Sequence, residues 1–170
     1  MADPADRFRA TSDRLATSLL DRLIDDDPDL ERDPLMTVGQ QINDIKSALR
    51  RDLEIVLNTR CRPESLPGGH SELGDSLLSF GIEDMFSTRL VTDRQRQAMA
   101  QELQVRIARF EPRLDDLSVT LIPNNDPTER VLRIRISATY QIQQGLPPIV
   151  FDTRFDPVTQ RFAVMEGGRG

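Results

Sequence analysis

The stretch ERVLRIRISATYQI, residues 129–142, alternates without a break. Leu132, Ile134, Ile136, Ala138, Tyr140 and Ile142 fall on one side, and Arg133, Arg135, Ser137, Thr139 and Gln141 on the other. A period of two with one apolar side is the signature of an antiparallel strand covering a core with one face and meeting water with the other. The flanking segments continue in the same style. Leu117–Ile122, before the turn cluster Pro123-Asn124-Asn125-Asp126-Pro127, reads as a strand rich in β-branched residues. After a turn over Gly145–Pro148, Ile149–Phe155 and Arg161–Met165 read as two more, joined at Asp156-Pro157.

Upstream the period changes to that of a helix. From Asp93 to Phe110 the apolar residues are Met99, Leu103, Ile107 and Phe110, with Asp93 a candidate cap and Pro112 as the stop. From Thr37 to Asn58 they are Val38, Ile42, Ile45, Leu49, Leu53 and Val56, with Thr37 placed to cap the run. A further helix is expected over Ser12–Ile24, where Leu15, Leu19, Leu20 and Leu23 recur at helical spacing. Two loop-like stretches intervene: Asp25–Pro34, rich in acids, and Cys61–Gly74, rich in Gly and Pro. A short turn or helix follows at residues 75–84, offering Leu77, Leu78, Phe80 and Ile82 for burial. Helices followed by a strand meander predict an α+β domain, with N-terminal helices packed on a C-terminal antiparallel β-sheet. The expected organisation is an N-terminal helix and acidic loop over 1–36, one domain over 37–166, and a disordered tail at 167–170.

Composition narrows the function classes. The 170 residues are 38% hydrophobic and 29% charged, as in a globular domain with a real core. A net charge of −6 argues against a phosphate-backbone binder. No apolar run has the length of a bilayer span, and Met1–Arg9 lacks the hydrophobic stretch of a secretory signal. The single cysteine, Cys61, excludes an internal disulfide and is compatible with the cytoplasm. Together with the single histidine, His70, it is too few for a zinc site of the usual kind. No cofactor or metal is expected.

Three ordered segments carry a resemblance. Residues 45–60, IKSALRRDLEIVLNTR, are similar to an RRDLE…LLNTR helix. Residues 76–84, SLLSFGIED, are similar to a turn ending in F/Y-G-I/L-x-D. Residues 110–114, FEPRL, contain an EPR tripeptide at the expected helix-to-strand junction. Together they resemble the lysozyme-like baseplate wedge proteins of contractile injection machines, the family that includes TssE of type VI secretion. Leu19-Leu20-Asp21-Arg22-Leu23 is similar to a short element of the secretion-system members rather than the phage ones. One departure is Ile55, where many relatives carry a bulkier aromatic; it is expected to touch packing.

The resemblance implies a structural subunit, cytoplasmic, at a baseplate docked on the inner membrane. The implied partners are the wedge subunits TssF and TssG, TssK, the VgrG spike hub and the TssB–TssC sheath. It also implies a docking role for Glu111, Pro112 and Arg113. Proline fixes the corner, and Arg113 offers a planar fork able to grip a carboxylate on another chain. Arg51, Asp52, Leu53, Asn58, Arg60 and Gly81 are expected to be architectural, with Asp52 and Arg60 paired at the helix end and Arg50 pairing with Glu54 for about 0.3–0.5 kcal/mol. The sheet edges are expected to template strands of other chains, the last strand in particular.

A muramidase is the enzymatic alternative. It needs two carboxylates about 5–10 Å apart across a sugar cleft. Glu83-Asp84, Glu111 and Asp115-Asp116 are present, but the chain has no tryptophan and one tyrosine to serve as sugar platforms. A non-enzyme is therefore expected. A generic strand-docking adaptor is the other alternative, and it leaves the three ordered motifs unexplained.

Overall fold

The computed structural model describes residues 10–11, 15, 17–24, 28–29, 35–61, 72–73, 76–83, 92–123, 131–140, 148–156 and 158–167. Ser12, His70, Asp84, Ile142, Pro157, the turn residues 124–127 and the tail residues 168–170 lie outside them. The chain forms two compact units, Met1–Leu49 and Arg50–Gly170, which divide inside a long helix.

The first unit holds two short strands, β1 (Ala10–Thr11) and β2 (Met36–Thr37), paired antiparallel. The helix expected from Ser12 shrinks to one turn, α1 (Leu19–Leu23), capped by Ser18. Leu15 is outside it: its N–H donates to Gln41 Oε1 at 2.7 Å. The long helix α2 (Val38–Asn58) begins here. Thr37 and Gln40 cap it reciprocally, Gln40 N–H to Thr37 Oγ1 at 3.2 Å and Thr37 N–H to Gln40 Oε1 at 2.8 Å. Ile45 and Leu49 of its apolar stripe are buried, and Val38 and Ile42 are half-buried.

The second unit contains the rest of α2, then α3 (Asp93–Phe110) and four strands: β3 (Leu114–Ile122), β4 (Leu132–Tyr140), β5 (Ile149–Asp156) and β6 (Arg161–Glu166). The strands pair antiparallel in sequence order, so β3 and β6 are the edges. The α+β expectation holds. The alternation in β4 is borne out: Ile134, Ile136, Ala138 and Tyr140 are buried, facing the core with Phe151, Phe155, Phe162 and Val164. α3 packs on β3 through the stripe Met99, Leu103 and Ile107. Its cap is Thr92 rather than Asp93. Thr92 accepts from Gln95 N–H, and the Gln95 side chain accepts in return from Thr92 N–H. Asp93 sits in the first turn beside Arg96.

β3 begins three residues earlier than its β-branched run. Asp115 and Asp116 look unlike a strand because they are a bulge: the register slips between Asp115 and Ser118, and Asp116 takes φ 51°. The slip reverses the alternation, so Leu114 before it and Val119 after it both face the core. The β5–β6 turn is held by Asp156, whose carboxylate accepts from Val158 N–H and the Thr159 hydroxyl. Those bonds, led by the Val158 N–H, hold its pKa below the ordinary 3.8. Gly167 adds a rung after β6, its N–H donating to Val150 O at 2.8 Å.

One residue in the core is chemically out of place. Thr153 on β5 is 1% exposed, and its hydroxyl has no hydrogen-bond partner among the described residues. An unpaired buried hydroxyl costs about 1–3 kcal/mol. Thr153→Val, which keeps the shape and removes the hydroxyl, should raise unfolding stability by about 1 kcal/mol. Urea denaturation measures it, and a loss instead would show that the hydroxyl is bonded.

Candidate functional site

The Glu111-Pro112-Arg113 corner lies where α3 gives way to β3. Glu111 ends the helix, its N–H donating to Ile107 O at 2.8 Å, and Leu114 N–H returns to Glu111 O at 3.2 Å. Proline between them cannot continue the helix, so the chain reverses within three residues. The flanking charges do not project outward as a free pair. Glu111 is 3% exposed, and both its carboxylate oxygens accept from Arg113, one from Nε and one from Nη2, each at 2.5 Å. Arg113 Nη2 also donates to Asp52 Oδ2 on α2 at 2.5 Å. The fork expected to grip another chain grips its own. Asp52 accepts in addition from Arg51 Nε at 3.0 Å, giving two acids and two bases in one cluster. Hydrogen bonding to Glu111 outweighs burial and, with Asp52, raises the Arg113 pKa above its usual value. The guanidinium is charged at every accessible pH.

The expected Asp52–Arg60 pair does not form. Asp52 points back toward the corner, whereas Arg60, past the end of α2, donates from Nη2 to Gln160 O at 3.2 Å in the β5–β6 turn. The Arg50–Glu54 pair is present at 3.8 Å, loosely.

Glu54 and Asn58, one helical turn apart, do something sequence reasoning missed. Asn58 accepts from Phe162 N–H at 2.9 Å and donates to Phe162 O at 3.0 Å. Glu54 Oε1 accepts from Val164 N–H at 3.1 Å. These are three of the groups that β6 turns away from β5, so α2 covers the edge at Phe162 and Val164 with side chains in place of a strand. The last strand, expected in particular as the template, is thus covered by its own chain at these two residues. The other edge is treated differently. Gln104 of α3 accepts from Val119 N–H at 3.3 Å, so the backbone of Val119 points away from β4 while its side chain faces the core. The alternation turns the backbone of Leu121 the same way, and among the described residues nothing bonds it there. Among the described residues, β3 is thus uncovered at Leu121.

The third motif packs beside this frame. Ser76 caps a 3-10 turn, Leu77–Ser79, and Phe80 meets Phe110 edge-on with centroids 5.1 Å apart. Arg106, another residue the sequence did not single out, ties the segment to α3 by donating to Ser79 O, Glu83 and Glu102. Ile82 is fully buried and bridges the residues after α2: its N–H donates to Thr59 O, and its carbonyl accepts from Cys61 N–H. Gly81 has φ 95°, and a Cβ there would lie 2.4 Å from Thr59 O, so only glycine permits this approach. Leu77 and Leu78, expected to be buried, are exposed, and Ile55 is half exposed rather than a packing position. Leu53 is fully buried.

The motif residues scattered through the sequence thus form one frame around the start of β3 and the edge of β6. The model of the family described as Baseplate wedge protein gp25 matches residues 43–145, which contain most of that frame. The chain belongs to this family. No curated protein and no solved structure matches it. Wedge membership makes the chain a structural baseplate component that contacts other baseplate proteins. The described helices include none long and apolar enough to cross a membrane.

The corner cluster makes a sharp energetic forecast. Arg113→Met leaves Glu111 buried without its counter-charge and should cost about 3–5 kcal/mol. Adding Asp52→Asn and Glu111→Gln removes the stranded charges and should restore most of the loss. Denaturant titrations of the single and triple variants measure this, and a mild single variant would show that the cluster is solvated.

Proposed function

We propose that this chain is a baseplate wedge subunit of a type VI secretion system, of the TssE kind, which joins the wedge complex and starts the contractile sheath. The family match supports the place in a wedge. The Leu19-Leu20-Asp21-Arg22-Leu23 element supports a secretion system over a phage. In this reading the protein acts in the cytoplasm at a baseplate docked on the inner membrane, with TssF, TssG, TssK, the VgrG hub and the TssB–TssC sheath as its neighbours. The Glu111-Pro112-Arg113 corner meets the wedge scaffold through its fixed shape and the exposed Pro112, its charges being spent on holding that shape.

The observation that carries the sheath role is the unequal treatment of the sheet edges. β6 is covered at Phe162 and Val164 by Asn58 and Glu54, whereas among the described residues Leu121 on β3 has no such cover. An open edge takes an extended segment of another chain by main-chain hydrogen bonds. A muramidase fits poorly: both oxygens of Glu111 are occupied by Arg113, Glu83 is engaged with Arg106, and Asp116 belongs to the bulge. A generic adaptor would share the open edge but not the family.

The test uses Leu121→Pro, which removes an outward N–H and leaves the β4 ladder its own bonds. In cells with a fluorescent sheath subunit, sheath formation should fall about tenfold, as expected for roughly 1.4 kcal/mol lost from strand docking. TssF and TssG should still co-purify with the variant, showing that it folds. Sheaths at the normal frequency would sink the edge assignment. Failure of the wild-type chain to retrieve TssF and TssG from cells that build the machine would favour the adaptor.

A further inference from the structure

The first unit contains a helix that its own surroundings do not explain. α1 is five residues long, and none of them is buried. Helices this short do not persist in water, because the costly first turn is never repaid by elongation; packing has to hold them. Yet the packing residues face outward. Leu19 and Leu23 are each 73% exposed, Leu20 59%, and Ile24 at the C-cap 44%. Leu19 with Leu23, and Leu20 with Ile24, are spaced four apart, so the four side chains form one continuous ridge. Four large aliphatic side chains in six residues are not the scattered exposure that any surface shows. Ser18 caps the turn and bonds Asp21, which fixes the ridge without covering it.

What covers the ridge is indicated by charge. Directly after it the sequence reads Asp25-Asp26-Asp27-Pro28-Asp29-Leu30-Glu31, five acids in seven residues. Two copies meeting through this ridge would bring both acidic runs together, on a chain already at −6, so a second copy is disfavoured. An apolar groove edged with lysine or arginine would accept the leucines on its floor and the carboxylates at its rim, the usual way in which a short amphipathic helix is recognised.

We propose that Ser18–Ile24 is a docking helix for a different protein, one presenting an apolar groove with a basic rim. The acidic run selects the partner and speeds the encounter, and the leucines supply the grip. This holds whichever machine the chain joins, because it rests on the exposed ridge and the adjoining charges rather than on the sheet edge.

The experiment places a photo-crosslinking phenylalanine analogue at position 23 of the full chain, in the cells that produce it naturally. A second chain carries the probe at Val158, also exposed but in the β5–β6 turn. The position-23 probe should join a different protein, through a peptide containing apolar residues with lysine or arginine close by. Leu19→Asp, and separately the triple change of Asp25, Asp26 and Asp27 to lysine, should each lower the adduct about tenfold. Neither should move the melting temperature, since α1 buries nothing. The Val158 probe should not give the same adduct. An adduct with a second copy, an adduct only within the same chain, no adduct, a target peptide without basic residues, or indifference to the lysine changes would each overturn the proposal.

Discussion

The second unit is organised around a carboxylate that has been taken out of water. Glu111 is buried at the junction of α3 and β3, and isolated burial of such a charge costs several kcal/mol. It is tolerable only because Arg113, two residues on, wraps back to cover both oxygens. That wrap requires the chain to turn sharply at Pro112, so the electrostatic need and the backbone corner are one constraint. Arg113 reaches past Glu111 to Asp52, and Asp52 is steadied by Arg51. The cluster therefore fixes α2 against the place where the helical part of this unit gives way to the sheet.

Once α2 is held there, its next turns are aimed at β6. Glu54 and Asn58 reach the outward backbone groups of Val164 and Phe162, and Arg60 reaches Gln160 O beyond them. The residues after the helix receive Ile82, where Gly81 allows the closest approach of the two backbones. A helix whose apolar stripe would pack in many registers acquires a single one from its polar side. Hydrophobic burial of Leu53, Val56 and Leu57 supplies the bulk of its attachment, at about 1.5–3 kcal/mol for each fully buried side chain. The hydrogen bonds decide where along the sheet that burial happens.

Much of the architecture was legible because it is written in local periods. The two long helices and three of the four strands follow from spacing alone, and Pro112 marks the boundary between them. β3 was read short because its start is a bulge, and a bulge removes the alternation by which strands are recognised. The N-terminal helix was read long because Leu15 and Leu19 have helical spacing, although nothing in that spacing reveals whether a partner surface exists. The site was less legible for a different reason. Asp52, Glu54 and Asn58 look like the wet side of an amphipathic helix, and their partners lie 61 to 110 positions away. Pairing over such distances has no trace in local composition. The motif resemblance pointed to residues that the fold brings together, and their geometry makes Arg113 an inward clamp on Glu111 and Asp52.

Covering part of one edge of a four-stranded sheet with the chain's own helix has a consequence for valence. A sheet with two receptive edges can be extended at both, and repeated addition makes a ribbon without a natural length. Here side chains of α2 cover β6 at Phe162 and Val164, which disfavours strand addition there, and among the described residues Leu121 on β3 has no such cover. Two copies meeting through β3 would use that edge on both and leave only the partly covered one. The side-chain amide of Asn58, by occupying Phe162 on both its donor and its acceptor, takes that rung out of reach of an incoming strand and biases growth of the sheet to one direction.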